Sequence, residues 1–205
     1  MKNKRALLVK KILNKYFPDP KITLHHKNLY TFLIAIVLSA QASDVKVNEI
    51  TSDLFKKAKT PEEMLKFSES KLKKIIKPIG LSNRKTKAVL ELSKILIQKY
   101  NSRVHSTFEE LESLPGVGHK TASVIMSQGF KKDAFPVDTH IQRCARRWGL
   151  SKGKNVKEIE EDLKRTFPKK DWHKLHLQII HFGREYCKAK GHIVQNCPMC
   201  KEINR

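Results

Sequence analysis

Leu114-Pro-Gly-Val-Gly118 forms a tight turn between two helical sequence patterns. The proline fixes its own φ, and the two glycines allow backbone angles that are closed to other residues. The helix that follows, about residues 119–128, should begin with free N–H groups and the positive end of its dipole, which attract anions. The backbone of Gly116, Val117 and Gly118 is therefore a candidate phosphate-binding element.

The rest of the chain also has helical periodicity, and segments that alternate like β-strands are missing from the sequence. The run from Tyr30 to Ala40 is apolar on nearly all sides and predicts a buried central helix. Capping-box patterns at residues 60–63 and 106–109 mark two helix starts, and Ser70 marks another. About ten helices joined by short loops predict an all-α protein. The first helix should bury one face, formed by Leu7, Leu8, Ile12, Leu13 and Tyr16.

The composition indicates a polyanionic partner. The 205 residues include 42 Lys and Arg against 20 Asp and Glu, and the net charge of +22 is spread along the whole chain. Such a positive charge attracts nucleic acid. A solubilising surface, or a protein that binds an anionic membrane, would also have a high positive charge. The longest apolar run, residues 30–38, is too short to span a bilayer.

Cysteine usage and the N-terminal sequence indicate an intracellular protein. Three of the four cysteines lie in the last nineteen residues, which is not the pattern of a disulfide framework in a chain of this size. The basic start, Met1-Lys-Asn-Lys-Arg5, leads into an amphipathic pattern rather than the long apolar stretch of a signal peptide. We therefore expect a reducing compartment.

The glycine turn and the positive charge together describe a helix–hairpin–helix element. Such an element holds a DNA backbone phosphate without reading the base sequence. A turn of this composition is also compatible with a purely structural corner between two helices.

Lys120 falls in the first turn of the helix after the glycines, and Asp138 follows eighteen positions later. The helix dipole and partial burial would favour the neutral amine of Lys120, a nucleophile that is able to form a Schiff base. Asp138 precedes Thr139 and His140 in the pattern of a helix N-cap, and its carboxylate is also able to assist proton transfer. The two residues form a candidate catalytic pair. The alternatives are a solvated lysine and a simple helix cap.

Several motifs occur together in an order that is typical of one enzyme family. On these motifs the chain resembles the endonuclease III family of DNA glycosylases over essentially its whole length. The resemblance implies two helical lobes that hold DNA in a cleft between them. Residues 22–132 would form a six-helix lobe, and residues 1–21 with 133–205 would form the second lobe. The motifs are Leu38-Ser-Ala-Gln-Ala-Ser-Asp44, Leu114-Pro-Gly-Val-Gly-His-Lys-Thr-Ala122, Pro136-Val-Asp-Thr-His140 and the C-terminal cysteines.

The resemblance also implies a reaction. The family excises oxidised or ring-saturated pyrimidines and then cleaves the abasic sugar by β-elimination. Lys120 aligns with the lysine that attacks C1′ of the flipped nucleotide, and Asp138 aligns with the catalytic aspartate. Related adenine glycosylases lack a lysine at the position of Lys120 and lack strand cleavage. The lysine therefore favours a bifunctional glycosylase and lyase.

Further residues match DNA contacts of the family. Gln41 aligns with the residue that fills the gap left by the extruded base, and Leu81 aligns with an apolar wedge on the opposite side. The alternatives are a surface glutamine and a core leucine. His140 would contact a phosphate or pack beside Asp138.

The C-terminal cysteines depart from the family's iron–sulfur loop, which has the spacing C-x6-C-x2-C-x5-C. Here nine residues separate Cys187 from Cys197, two separate Cys197 from Cys200, and no cysteine occupies the fourth position before Arg205. Three outcomes stay open: a [4Fe-4S] cluster with an unusual fourth ligand such as His192, a zinc ion on this Cys3His set, or no metal. Any metal would organise a basic loop against DNA and take no part in the chemistry.

The resemblance therefore predicts a base-excision-repair glycosylase with abasic-site lyase activity. We expect it to act as a monomer on double-stranded DNA that contains damaged bases or abasic sites, in the cytoplasm at the nucleoid and without a membrane partner. The alternatives are a glycosylase for another lesion class and a non-catalytic helix–hairpin–helix DNA-binding protein.

Overall fold

The computed structural model describes residues 2–204 and confirms an all-α protein, with no strand in that range. Met1 and Arg205, the ends of the second lobe predicted above, lie outside the described residues. Short 3₁₀ turns at Lys77–Ile79 and Val194–Asn196 accompany the α-helices, as does a π-helical turn at Ile125–Gly129. The α-helices are α1 (Lys2–Tyr16), α2 (Leu29–Leu38), α3 (Asp44–Lys57), α4 (Pro61–Leu65), α5 (Glu69–Ile76), α6 (Ser82–Tyr100), α7 (Phe108–Glu112), α8 (His119–Val124), α9 (Thr139–Arg147), α10 (Val156–Thr166), α11 (Lys169–Glu185) and α12 (Pro198–Ile203).

The chain divides into two compact units. The central unit, Ile22–Phe130, contains α2 to α8. The terminal unit joins Met1–Lys21 to Lys131–Arg205 and contains α1 and α9 to α12. Its core includes Trp148 and Phe182, two of the largest fully buried side chains.

α2 is the buried helix of the central unit. Every residue from Tyr30 to Leu38 is buried, as the apolar run predicts, and α3 and α6 pack against it. Asn28 caps the helix by accepting a hydrogen bond from the Thr31 N–H, while the Thr31 hydroxyl accepts one from the Asn28 N–H. This reciprocal cap satisfies N–H groups at the start of an otherwise apolar segment. Among the described residues, no helix combines the length and the apolarity needed to cross a lipid bilayer.

Capping signals locate helix starts to within two residues. α4 begins as expected, with a reciprocal capping box at Thr60. α7 is capped by Thr107 rather than by Ser106, so that predicted start was wrong by one residue. α5 is capped by Ser68, so the start predicted at Ser70 was wrong by two. Neighbouring Ser and Thr residues are comparable caps, which leaves the choice between them to tertiary packing.

The buried face of α1 was predicted only in part. Ile12 and Leu13 are buried as expected, but Leu7 is 65% exposed. The buried positions instead follow the i, i+3, i+7 series from Ala6 through Val9. This register places α1 against α11 and α12 in the terminal core.

The helix predicted over residues 119–128 consists of two pieces. α8 ends at Val124 and continues as the π-helical turn Ile125–Gly129. A Cβ at Gly129 would lie 2.9 Å from Leu29 Cδ2, so the turn packs closely on α2. π-helical turns inside helices are frequent near functional sites.

Candidate functional site

The predicted glycine turn connects α7 to α8, and one of its positions requires glycine. Gly116 has φ +80°, and a Cβ there would lie 3.1 Å from Ala88 Cβ and 3.3 Å from Val37 Cγ1. Gly118 has φ −98°, and a Cβ there would meet no atom within 4 Å. Gly116 therefore uses the backbone freedom that glycine allows, and Gly118 does not. The space next to Gly118 is open, which leaves room for another group to approach its backbone.

The turn is anchored by its side chains and exposes part of its backbone. Leu114 and Val117 are buried, and the Val117 N–H donates a 3.0 Å hydrogen bond to the Leu114 carbonyl. Gly116 and Gly118 are exposed, and neither N–H donates to a backbone acceptor among residues 2–204. The N–H groups that remain for a phosphate are therefore those of the two glycines, whereas Val117 serves to hold the turn.

Gly116→Ala is expected to lower Tm by about 2–8 °C. The added methyl group strains a left-handed backbone and crowds Ala88, at a cost of about 1–2 kcal/mol, and each kcal/mol corresponds to about 2–4 °C in a chain of this size. Gly118→Ser is the matched control, because its φ is ordinary and serine is a favourable N-cap. Thermal unfolding followed by circular dichroism measures both variants. An equal loss of Tm in the two would contradict the assignment of strain to Gly116.

Lys120 lies in the first turn of α8, and its side chain is exposed. The prediction that Lys120 is partly buried was therefore wrong for the protein without DNA. α8 is short, and the residues of it that face the interior are Ala122 and Ser123. The amine is accordingly open to a molecule that binds along this turn.

A clamp between α7 and α8 was not identified from the sequence. The His119 ring stacks on Phe108 with centroids 5.2 Å apart, and its Nδ1 lies 2.8 Å from Glu112 Oε1. The histidine directly precedes Lys120, so the clamp fixes the backbone from which the lysine projects. The seven-residue spacing between the acid and the histidine across the turn was the available signal.

Gln41 and Leu81 lie on one groove of the central unit. Both have left-handed backbone conformations, with φ of 55° and 51°. The groove encloses about 520 Å³ and is also lined by Pro115 and Gly116 of the turn. The Leu81 side chain is 46% exposed, so the alternative of a core leucine was wrong. Such backbone strain costs about 1–3 kcal/mol per residue and is concentrated at functional sites.

Lys85 is buried beside this groove, although its burial was not predicted from the sequence. Its side chain is 3% exposed, and its Nζ donates a 2.9 Å hydrogen bond to the Ile79 carbonyl. Burial lowers the pKa of Lys85 because the charged form is poorly solvated there. The bond ties α6 to the segment just before Leu81, and it therefore supports the backbone that exposes the Leu81 side chain.

Asp138 caps α9, as its sequence context predicts. Its Oδ1 accepts a 2.8 Å hydrogen bond from the Ile141 N–H, and the side chain is half-buried. His140 lies two residues further along the same helix and is also half-buried. The cap uses one carboxylate oxygen, so a capping role and a chemical role are compatible.

Arg143 connects α9 to the C-terminal loop, a role that was not predicted from the sequence. Its guanidinium donates to His140 Nδ1 over 3.1 Å. It also donates to the carbonyls of Gly183 and Cys187, each over 2.9 Å. One side chain thus fixes the imidazole next to Asp138, the end of α11 and the first residue of the cysteine-bearing loop.

The C-terminal loop brings the predicted metal ligands together. Hydrogen bonds with the Cys144 and Cys197 thiols and with Arg147 hold the pKa of Cys187 well below its usual range, because they stabilise its thiolate. Arg147 Nη1 donates to Cys187 Sγ over 3.3 Å. The donor set is compatible with a bound metal. The residues whose donor atoms all lie within 4.8 Å of one another are Cys187, His192, Cys197 and Cys200.

The chain matches known repair proteins along most of its length. Residues 34–169 match the HhH-GPD superfamily of base excision DNA repair proteins. Endonuclease III of Bacillus subtilis (strain 168) is 41% identical over 190 residues, which cover 91% of this chain and 87% of that protein. Endonuclease III of Rickettsia felis is 44% identical over 190 residues, which cover 92% of this chain and 88% of that protein.

The fold also matches a solved structure of a trapped covalent intermediate between endonuclease III and DNA, an estranged-adenine complex. The TM-score is 0.92 at 37% identity, and the match covers 100% of this chain and 99% of the other. The family prediction made from the motifs is confirmed by these similarities in sequence and fold. The chain therefore belongs to the endonuclease III family within the HhH-GPD superfamily, and it is a base-excision-repair DNA glycosylase with abasic-site lyase activity.

Proposed function

We propose that this protein excises oxidised or ring-saturated pyrimidines from double-stranded DNA and cleaves the resulting abasic site through a Schiff base on Lys120. The observation that carries the proposal is the similarity, over 100% of the chain, to an endonuclease III that was trapped as a covalent intermediate with DNA. The exposed Lys120 side chain, one residue into α8 after the glycine turn, supports it. A lysine in that position is free to reach a bound DNA strand.

The reaction begins when the damaged nucleotide leaves the base stack. The lone pair of the neutral Lys120 Nζ forms a bond to C1′, and the bond from C1′ to the base breaks with its electrons leaving on the base, which takes up a proton. Nζ then loses a proton, and the C1′–O4′ bond of the sugar ring breaks with its electrons leaving on O4′, which takes up a proton. The product is an iminium between Nζ and C1′, and this iminium acidifies C2′. Removal of the C2′ proton forms a carbon–carbon double bond and expels the 3′ phosphate with the electrons of the C3′–O bond. Water then hydrolyses the imine and restores the lysine.

Asp138 supplies the carboxylate for these steps. Its Oδ1 is held at the N-terminus of α9 by the hydrogen bond from the Ile141 N–H. The other oxygen faces the positive charge that develops on the sugar and assists proton transfer. His140, which Arg143 fixes, contacts a neighbouring phosphate.

The central unit binds the duplex through two neighbouring features. The N–H groups of Gly116 and Gly118 hold a backbone phosphate, as expected of a helix–hairpin–helix turn. Gln41 fills the space left by the extruded base, and Leu81 is the wedge that keeps the stack open. The protein acts as a monomer at damaged duplex DNA inside the cell, at the nucleoid.

The C-terminal loop has a supporting role. It binds a metal through the donor set of Cys187, His192, Cys197 and Cys200. A [4Fe-4S] cluster is the occupant that the family resemblance implies, and zinc is the alternative. Either would organise exposed lysines of the loop, Lys188, Lys190 and Lys201, toward DNA without entering the chemistry.

Borohydride reduction in the presence of damaged duplex DNA tests the proposal. Reduction converts the imine to a stable amine, so the full-length protein should form a covalent adduct with an abasic-site duplex. Mass spectrometry of the digested adduct should locate it on Lys120. Binding without any adduct would support a non-catalytic helix–hairpin–helix protein. An adduct on duplexes carrying oxidised purines, and none on those carrying ring-saturated pyrimidines, would support a different lesion class.

Leu81→Ala is expected to slow excision from a paired site roughly 10-fold, because the wedge offsets the cost of unstacking a base step. Excision from a duplex in which the damaged base is already unpaired should slow much less. Leu65→Ala is the matched control, since Leu65 is a similarly exposed leucine of the same unit, at the end of α4. Single-turnover rates on the two substrates measure the effect. Equal slowing on both substrates, or equal slowing by the control, would contradict the wedge role.

A further inference from the structure

The loop after α11 holds four metal-binding side chains whose donor atoms converge on one point. Cys187 Sγ and Cys200 Sγ are 4.0 Å apart, and the donor atoms of His192 and Cys197 lie within 4.8 Å of both. Around one tetrahedral zinc ion with bonds of about 2.3 Å, two thiolate sulfurs lie about 3.8 Å apart. The observed spacing therefore fits a single ion with only small adjustments of the side chains.

A four-iron cluster makes different demands on its ligands. Each cysteine binds a separate iron at a corner of the cluster, so the ligand atoms must surround a body several atoms across. The donors here are close to one another, and one of them is an imidazole. The remaining thiol, Cys144, lies on α9 outside this set, where a Cβ at Gly183 would lie only 3.0 Å from its sulfur. The donor set therefore fits one ion better than it fits a four-iron cluster.

His192 gives an independent sign of a ligand. Its Nε2 is buried and has no hydrogen-bond partner among residues 2–204, although buried polar atoms are nearly always paired. The residue belongs to the same donor set as three buried thiols. Donation of an imidazole lone pair to a metal ion would satisfy a nitrogen in this position.

The charge next to the donor set and the sequence spacing of two of its cysteines both match a zinc site. Three thiolates and one imidazole around Zn²⁺ leave one excess negative charge, and the Arg147 guanidinium lies against it, donating to Cys187 Sγ over 3.3 Å. Cys197 and Cys200 are separated by two residues at the start of α12, a spacing typical of zinc ligands. The Lys201 N–H donates to the Cys197 carbonyl over 2.9 Å, which fixes this short segment.

We propose that the loop binds one tetrahedral zinc ion through Cys187, His192, Cys197 and Cys200, in place of a four-iron cluster. The ion cross-links the loop that begins at Cys187 to the start of α12 and provides a bonding partner for the buried His192 imidazole. The proposal concerns the occupant of the loop and stands apart from the chemistry of Lys120.

Metal analysis of the full-length protein tests the proposal directly. The protein is produced in medium that contains both iron and zinc, and it is purified without oxygen so that a cluster would survive. We expect about one zinc per chain and almost no iron, with no broad absorbance near about 400 nm. Replacing zinc by Co²⁺ should give the intense visible bands of a tetrahedral thiolate site. About four irons per chain with the 400 nm band, or less than about 0.2 metal of any kind per chain, would overturn the proposal.

Substitutions identify the ligands. His192→Ala should weaken zinc binding at least about 10-fold in competition with a chromophoric chelator and should change the Co²⁺ spectrum. Cys200→Ser should abolish stoichiometric binding. Cys144→Ser is the matched control, because Cys144 hydrogen-bonds Cys187 from outside the donor set and a serine hydroxyl is also a donor, so this variant should retain the metal. If Cys200→Ser does not fold, His192→Ala remains a test of the proposal. An unchanged zinc affinity and an unchanged Co²⁺ spectrum in that variant would overturn the assignment of His192 as a ligand. Borohydride trapping by the wild type reports separately on the proposed reaction.

Discussion

Lys120→Ala is expected to remove the borohydride adduct and to lower strand cleavage at an abasic site by at least about 1,000-fold. Without the amine, no Schiff base forms at C1′, and the route to β-elimination is lost. Duplex affinity should fall by less than about threefold, because only one exposed charge out of a net +22 is removed and the glycine turn remains. Gel analysis of trapped adducts and fluorescence anisotropy of binding measure the two effects.

Lys94→Ala is the matched control for this loss of charge. Lys94 is also exposed and belongs to the same unit, but it lies on α6 and plays no part in the proposed chemistry. Its substitution should leave adduct formation intact. An adduct that persists in Lys120→Ala, or one that disappears equally in Lys94→Ala, would contradict the role of Lys120 as the nucleophile.

Asp138→Asn is expected to slow base removal by about 100- to 10,000-fold while changing duplex affinity by less than about threefold. Asparagine is as good an N-cap as aspartate, so the hydrogen bond to Ile141 and the start of α9 should survive. The variant therefore removes the negative charge and the proton acceptor but not the fold. Single-turnover excision and Tm, measured together, separate the two contributions.

Asn155→Ala is the control for the loss of a helix cap without the loss of a proposed catalytic group, and it lies in the same unit as Asp138. Asn155 caps α10 by accepting a 3.0 Å hydrogen bond from the Glu158 N–H. Its removal should cost about 1 kcal/mol of stability and leave the excision rate unchanged. An Asp138→Asn variant that loses stability or affinity in proportion to its rate would show that Asp138 is only a helix cap.

The sequence was sufficient for those parts of the site that depend on local chemistry. Gly116 illustrates this, because a turn between two helices at that position needs a positive φ, and the structure shows one. Asp138 is a second case, since Asp before a helical pattern is a cap by its own hydrogen-bonding chemistry. The three C-terminal cysteines and His192 are close in sequence and lie together in the structure, and the family resemblance indicated them as possible ligands of one metal site.

Properties that depend on packing between distant segments could not be predicted in this way. Lys85 looks like any surface lysine of α6, and its burial follows from the Ile79 segment folding over it. The exposure of Lys120 depends on which face α8 buries, and a helix of six residues carries too little periodicity to show that. Leu7 was assigned to the wrong face of α1 because Leu7 and Leu8 are adjacent apolar residues and both registers are compatible with the sequence.

The hydrogen bonds of Arg143 link the C-terminal loop to the helix capped by Asp138, the proposed catalytic carboxylate. The Arg143 guanidinium donates one hydrogen bond to the Cys187 carbonyl and another to Nδ1 of His140, which lies two residues beyond Asp138. Removal of the proposed zinc ion by a chelator is expected to loosen the contact to Cys187 and, through Arg143, the contact to His140. The glycine turn receives none of these bonds. Loss of the proposed ion is therefore expected to slow base removal more than it weakens binding of DNA by the glycine turn.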